Sequence, residues 1–353
     1  MMDLDDVSSF SENDPQNMLA EIDGLPDQLK NAWQLGVQMP LPAWEGINRV
    51  VIVGMGGSAI GADLLNAYAA PHCPVPVVIS RDYDLPAWAR GSETLVIAAS
   101  HSGNTEETLS AFEQAVSRSC RVLAVCTGGK LAAKAQKAGI AWCQFNHKGQ
   151  PRAAVGYSFG ILLAIFVRLG FLPDVESALE AVVDAMKAQQ EHIRGDVPVL
   201  SNPAKRLAGQ CMNRWVSVFA SDFLAPVARR WKGQISEIAK GWGQFEFLPE
   251  ADHNTLAGVV NPENLLPQIF ALFLLSSNNH ARNQLRVQLT KEIMMLEGLG
   301  TDFVHAQGDT RLKQMWTLIH FGDYFAYYLA MLYGANPTPV AAIEGLKKRL
   351  EDV

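Results

Sequence analysis

Two short stretches hold the residue types from which an anion site can be built. The first, "VVIVGMGGSAIGADLL" (Val50–Leu65), runs β-branched residues into glycines and then into a helical pattern. Gly54-x-Gly56-x-x-Ala59 fits a loose dinucleotide fingerprint, and Asp82 and Asp84 follow near the next strand pattern. The second, "SHSGNTEET" (Ser100–Thr108), crowds Ser100, Ser102, Asn104 and Thr105 around Gly103 at a helix start. Such a cluster can wrap a phosphate: hydroxyls donate, main-chain N–H groups point inward, and the helix dipole favours the anion. A single Ser, Asn or Thr at a helix start is an ordinary cap. Four in six residues, on the same sheet edge as a glycine-rich loop, point to phosphate. Ligands of open α/β sheets lie beyond the carboxyl ends of the strands, and both loops sit there. A dinucleotide fold has no need of the second cluster.

The elements that must position these loops are legible as an alternation. "RVVIVGM", "VPVVIS", "TLVIAAS" and "RVLAVCT" read as strands, and "IAWCQF" as a short one. Between them lie helical patterns at Ser58–Ala70, Thr105–Ser117 and Lys130–Ala138. Continuous apolar strands separated by amphipathic helices indicate a parallel sheet covered on both faces. Helices then cover Tyr157–Leu169 and Val175–Ile193, and "GDVPVLSNP" is a connector rich in breakers. A second alternating set starts near Arg214. "RWVSVFASDF" is a strand leading into a helix at Leu224–Ile235, "QIFALFLLSS" is a strand although its length allows a helix, "TDFVHAQG" is a strand, and "LTKEIMMLEGLG" is helical. A long helix ending at Gly334, a Pro-rich link "ANPTPV" and an amphipathic helix close the chain. The pattern predicts two similar α/β halves. "VSVFASDFLAPVARR" occupies the place in the second that the glycine loop has in the first, without the glycines. Before the first half, Met18, Ile22, Leu25 and Leu29 keep helical spacing.

Composition bounds the partners. In 353 residues, 48% hydrophobic content supports a sizeable core in more than one domain. A net charge of −7 argues against a nucleic-acid or anionic-membrane surface. The start "MMDLDDVSSFSEN" is acidic and polar, unlike a signal peptide, and the longest apolar run, near Leu265–Leu275, is too short to span a bilayer. Five cysteines, at 73, 120, 126, 143 and 211, show neither a CxxC pair nor metal-ligand spacing, which suits a reducing, cytoplasmic compartment. The histidines show no HxH or HExxH spacing, so no catalytic metal is expected.

"GMGGSAIGADLL" and "SHSGNTEET" resemble the sugar isomerase (SIS) domain. The ordered set along nearly the whole chain resembles the bifunctional phosphoglucose/phosphomannose isomerase family, with two tandem SIS domains. "PRAAVGYSFG" (151–160) is similar to its arginine-bearing loop, "APVARRWKGQISEIAKGWGQFEFLPEADHNTLAG" (225–258) to its catalytic stretch, and "GDYFAYYLAMLYGANPTPVAAIEGLKKRL" to its terminal helices. The departures are His101 where tyrosine is usual, Ala59 and Ala62 where glycine is common, and Ile238 where asparagine is common. The implied fold is α/β: two flavodoxin-like parallel sheets flanked by helices, with helical extensions at both ends. The implied divisions are 1–46 as N-terminal extension, 47–172 as the first SIS domain, 173–200 as connecting helix and linker, 201–334 as the second SIS domain, and 335–353 as C-terminal helix.

The resemblance also implies roles. Glu237 matches the base that moves a proton between C2 and C1 of a hexose phosphate, and His253 the acid/base that opens the sugar ring. Arg152 would stabilise the enediolate. Lys347, or its neighbour Lys348, would reach the ring oxygen or the developing charge. Gly56, Gly57, Ser58, Ser100, Ser102 and Thr105 would hold the phosphate. Without the resemblance, Glu237 reads equally well as the partner of Lys240 at i,i+3, and the lysines as solvated. The implied activity interconverts glucose 6-phosphate and mannose 6-phosphate with fructose 6-phosphate, with no cofactor and no metal. The implied assembly is a homodimer in which His253 completes the neighbouring subunit's site. Two rival functions remain: a non-catalytic SIS regulator that binds sugar phosphate, and an NAD(P)-dependent oxidoreductase using the glycine loop.

Overall fold

A computed structural model describes residues 2–352. The chain divides into two compact units. The first comprises Gly24–Lys187 and the short segment Thr310–Lys313; the second joins the segment ending at Asp23 to Ala188–Asp309 and to the chain from Gln314 onward.

In the first unit, strands β1 (Arg49–Val53), β2 (Val77–Ser80), β3 (Thr94–Ser100), β4 (Arg121–Cys126) and β5 (Trp142–Gln144) form one sheet in the order β2-β1-β3-β4-β5. Every pairing is parallel. The order is that of flavodoxin-like folds and not the 3-2-1-4-5-6 of dinucleotide-binding folds. All seven residues of β3 are buried, because helices cover both faces of a central parallel strand. Helix α1 (Leu25–Gln38) packs on α5 (Val155–Arg168), while α2 (Gly56–Ala69), α3 (Glu106–Ser117) and α4 (Gly129–Lys137) follow β1, β3 and β4. Val51, Val96, Ala98, Phe112, Ala124 and Leu131 belong to one buried cluster between sheet and helices. Arg168 closes the end of α1 by donating from Nη1 to the carbonyls of Gly36 (2.9 Å) and Met39 (2.6 Å).

The segment with helical spacing from Met18 to Leu29 spans two helices. A short helix, Met18–Asp23, ends before Gly24, and α1 begins at Leu25 with Pro26 in its first turn. Proline has no N–H to offer the preceding turn, so it starts a helix more readily than it continues one. The four spaced apolar residues are still buried, at 4% exposure or less.

The second unit repeats the design with four parallel strands in the order β7-β6-β8-β9: β6 (Trp215–Ser221), β7 (Gly243–Leu248), β8 (Ile269–Leu275) and β9 (Gly300–His305). Helix α6 (Glu176–Gln190) runs across the division in sequence, and α7 (Pro203–Cys211) precedes β6. Helices α8 (Ala225–Glu237), α9 (Ala281–Leu296), α10 (Arg311–Tyr333) and α11 (Ala341–Glu351) follow in chain order. Here β6 lies between its second and third strands as β1 does in the first unit. The core of α10 is aromatic: Tyr324, Phe325, Tyr327 and Tyr328 are fully buried. A buried hydroxyl needs a partner, and two of these tips have one within the unit. Tyr328 donates to the Ile193 carbonyl at 2.6 Å, and Tyr324 donates to the Asp23 carboxylate. Among the described residues no helix is long and apolar enough to cross a membrane.

Candidate active site

The sheet order of the first unit creates a switch point between β1 and β3, where the connections leave in opposite directions and a crevice opens at the carboxyl ends. The glycine loop follows β1 and "SHSGNTEET" follows β3, so both flank this crevice. Each loop opens a helix, α2 from Gly56 and α3 from Glu106. The first N–H groups of a helix have no intrahelical partner, so two sets of donors and two dipoles serve one spot.

The hydroxyls are prepared as donors. Ser58 Oγ accepts the His101 N–H at 3.1 Å, Ser100 Oγ accepts the Gly103 N–H at 3.1 Å, and Ser102 Oγ accepts the Asn104 N–H at 3.2 Å. With main-chain donors on its oxygen, each hydroxyl has its proton to give. Ser100 and Thr105 share one bond, Oγ to Oγ1 at 2.9 Å, so between them one hydroxyl proton is left to give elsewhere. Thr105 is the N-cap of α3 but its side chain caps nothing. Asn104 serves a different helix, since its Oδ1 accepts the Lys130 N–H at 3.0 Å and caps α4.

Two glycines are required by geometry. Gly57 faces the carbonyl of Pro151, and any Cβ there would overlap it while standing 3.3 Å from the Arg152 nitrogen. Gly103 has φ +68° and faces the carbonyl of Gly128, where a side chain would collide. The first contact brings the glycine loop against the turn that carries Arg152. That turn, Pro151–Ala153, is a single 3-10 turn, and Arg152 within it is 3% exposed. Gln28 of α1 pins it from behind. Gln28 Nε2 donates to the Ala153 carbonyl at 2.9 Å and its Oε1 accepts the Gly156 N–H at 2.8 Å. Gly56, Gly57, Ser58, Ser100, Ser102, Thr105 and Arg152 are thus gathered on adjoining loops of one unit. Neither Gln28 nor the His101–His147 contact was legible in spacing, since their partners lie 125 and 46 residues away.

The second unit carries Glu237, His253 and Lys347 on three separate elements. Glu237 is the last residue of α8 and is half-buried. Lys240 lies past that helix end at φ +56°, and its Nζ donates to the main-chain carbonyl of Glu237. Helix α8 is anchored along one side. Arg230 Nη2 meets Asp323 Oδ2 at 2.5 Å, and Gln234 Nε2 donates to Asp323 Oδ1 at 2.9 Å, both buried against α10. Burial drives the Asp323 carboxyl upward, and the guanidinium of Arg230 opposes that shift. Glu237 stands seven residues beyond Arg230, about 20° round the helix, so the anchored side is the side it ends. Trp231 adds a bond from Nε1 to the Leu318 carbonyl at 2.9 Å and stacks on Phe321 and Phe325.

His253 ends the 3-10 turn Glu250–His253 after β7 and is exposed. Its neighbour Asp252 fastens that turn to α9, accepting from Arg286 Nη1 at 2.8 Å and Thr290 Oγ1 at 2.7 Å. Lys347 and Lys348 are both exposed on α11. Among the described residues no group of three or more His, Cys, Asp or Glu side chains could hold a metal ion.

Comparison with known proteins identifies the family of the chain. Residues 200–350 match the bacterial phospho-glucose isomerase C-terminal SIS domain. The chain is 38% identical to the bifunctional phosphoglucose/phosphomannose isomerase of Caldicellulosiruptor bescii, over 95% of this chain and 99% of that one. The chain belongs to the bifunctional phosphoglucose/phosphomannose isomerase family. Its counterpart in Aquifex aeolicus is 32% identical over 87% of this chain and 94% of its own length. The same fold is present in a hypothetical protein from Thermus thermophilus, with a TM-score of 0.73 at 16% identity, covering 97% of this chain and 91% of that one. Membership in this family favours the isomerase reading over the oxidoreductase one.

Proposed function

We propose that this isomerase interconverts glucose 6-phosphate and mannose 6-phosphate with fructose 6-phosphate through a cis-enediol. The observation that carries the reading is the pair of donor-prepared loops at the β1/β3 switch point. That is where a 6-phosphate would be held by Ser58, Ser100, Ser102, Thr105 and the N–H groups of Gly56 and Gly57. The relatives' names supply the reaction.

Aldose–ketose conversion moves one proton between C2 and C1. It needs a base beside those carbons and positive charge where the enediolate forms. Glu237 is the base in this reading, and Arg152, a permanent cation on a pinned turn, faces the charge. Glucose and mannose phosphates differ only at C2 and share one enediol, so one base serves both if the substrate rotates about C2–C3. Hexose phosphates are mostly cyclic, and His253 would move the proton that opens the ring. No cofactor is needed, and a carboxylate base can do this without a metal. Lys347 is preferred to Lys348 as the second cation. At about 100° per residue it falls beside the stripe Ile343, Leu346 and Leu350, while Lys348 turns to the opposite side. A helix that buried that stripe would carry Lys347 in with it. The exposure of His253 supports a homodimer in which it serves the neighbouring subunit. Hexose phosphates and five unpaired cysteines suit a reducing cytoplasm.

The test is Glu237→Gln, which keeps shape but cannot take the proton. Turnover of glucose 6-phosphate and mannose 6-phosphate should both fall by the ~10²–10⁴-fold typical of a lost general base. Exchange of solvent tritium into C1 of fructose 6-phosphate should vanish with them, with EDTA present throughout. Exchange continuing at the wild-type rate would move the base elsewhere. A wild-type protein that binds fructose 6-phosphate without converting it would be the regulator instead.

A further inference from the structure

His101 stands between the two serines of the phosphate turn, and its main chain is held from two sides. Its N–H donates to Ser58 Oγ of the glycine loop, and its carbonyl accepts from the N–H (3.0 Å) and Oγ1 (2.7 Å) of Thr127 after β4. Its ring points to a third place. Nε2 of His101 lies 2.9 Å from Nδ1 of His147, with the two rings nearly perpendicular at 85°. His147 belongs to the connection that leaves β5 and leads to Arg152. The same connection is stitched to α5: Phe145 meets the His101 ring edge-on at 5.7 Å and stacks on Tyr157 at 5.0 Å, and His147 lies 5.8 Å from Tyr157.

Four rings therefore join the phosphate turn to the segment that ends in Arg152. Within that cluster the bond between the imidazoles is a directed link. It needs one nitrogen as donor and the other as acceptor, so it fixes the orientation of both rings, which apolar packing alone does not. We propose that His147 is a positioning residue for phosphate capture. Through the His101 ring it sets the Ser100–Ser102 turn against the Arg152 segment, so that the affinity of the phosphate site depends on a side chain outside both phosphate loops. The inference rests on the phosphate reading of that site. The ligand is a phosphate monoester dianion, and inorganic phosphate is its simplest probe.

The experiment compares His147→Phe, which keeps a ring and loses the nitrogens, with His147→Asn, which keeps a hydrogen-bonding group near the Nδ1 position. KM and kcat for fructose 6-phosphate are measured beside the inhibition constant of inorganic phosphate. His147→Phe should raise KM and the inhibition constant together, by about tenfold, with the loss on KM rather than kcat, the pattern of weakened uniform binding. His147→Asn should recover most of both. His101→Phe should lose as much, and the double variant no more than either single one, because all three break the same bond. If His147→Phe does not fold, His101→Phe carries the test. Unchanged phosphate inhibition in His147→Phe would overturn the proposal, as would equal losses in Phe and Asn or a loss confined to kcat. A wild type that inorganic phosphate does not inhibit would instead sink the phosphate reading itself.

Discussion

Ser102 and Thr105 are both assigned to the phosphate, yet they enter it from different starting points. Ser102 Oγ accepts one main-chain N–H, which leaves its own proton for the ligand. Thr105 Oγ1 shares a bond with Ser100 Oγ, so removing Thr105 frees Ser100 to turn its hydroxyl outward. The single variants should differ: Ser102→Ala should raise KM more than Thr105→Ala. Hydrogen bonds to charged groups contribute about 1.5–3 kcal/mol each. The double variant should therefore raise KM for fructose 6-phosphate by about tenfold to a hundredfold, most of it from Ser102. Steady-state kinetics of the three variants decide it, and an unchanged KM in the double variant would remove the phosphate from this turn. The identities of these hydroxyls were plain in the sequence. Their division of labour was not, because it depends on which oxygen each main-chain N–H reaches, and Asn104 proved to serve α4.

At the scale of elements, α10 is the scaffold that α8, which ends in Glu237, leans on. It holds α8 through Asp323 and meets the short helix Met18–Asp23 through His320, whose Nε2 donates to the Ile22 carbonyl at 2.9 Å. His320 is fully buried. Burial pushes its imidazole from the ordinary 6.5 down to about 4, against the smaller opposing effect of the Ile22 carbonyl. The folded state thus keeps it neutral where the unfolded chain would protonate it. Below pH 6.5 the unfolded state binds the extra proton, so stability rises with pH between about 4 and 6.5 and is lost as pH falls through that window. Between pH 7 and 5 this group alone should cost about 2 kcal/mol. His320→Gln can still donate to the carbonyl but cannot titrate. Urea denaturation at both pH values should show a stability drop smaller by that amount in the variant. An identical drop in the two proteins would mean that other groups set the acid sensitivity.

At the scale of the whole molecule, the role proposed for the exposed His253 depends on assembly. If each His253 completes the neighbour's site, Glu237→Gln and His253→Ala are defects of different pockets in a mixed dimer. One pocket then receives both good residues. Mixing the two inactive variants should restore up to about a quarter of wild-type activity, from random pairing in which half the dimers have one intact pocket of two. Co-purification through a tag on one variant establishes that subunits exchange. Exchange without recovered activity would return His253 to its own subunit's chemistry.

The sequence by itself determined the alternation of strands and helices in both halves, because buried parallel strands must be continuously apolar and their covering helices amphipathic. It also determined the glycine and hydroxyl loops, where four hydroxyl or amide residues in six exceed what one helix cap needs. It did not reveal β7 as a strand. "GQFEFL" is an edge strand with polar and half-exposed positions, such as Gln244 and Glu246, and lacks the apolar run of its neighbours. The break at Gly24 was hidden for the opposite reason, since apolar spacing continues across it. Only the tertiary structure decided that the β1 and β3 loops flank one switch point, that Gln28 pins the Arg152 turn, and that His101 reaches His147. Local propensity fixes what each segment becomes. Strand order and register fix which distant side chains meet, and those follow from how the assembled elements bury their apolar faces.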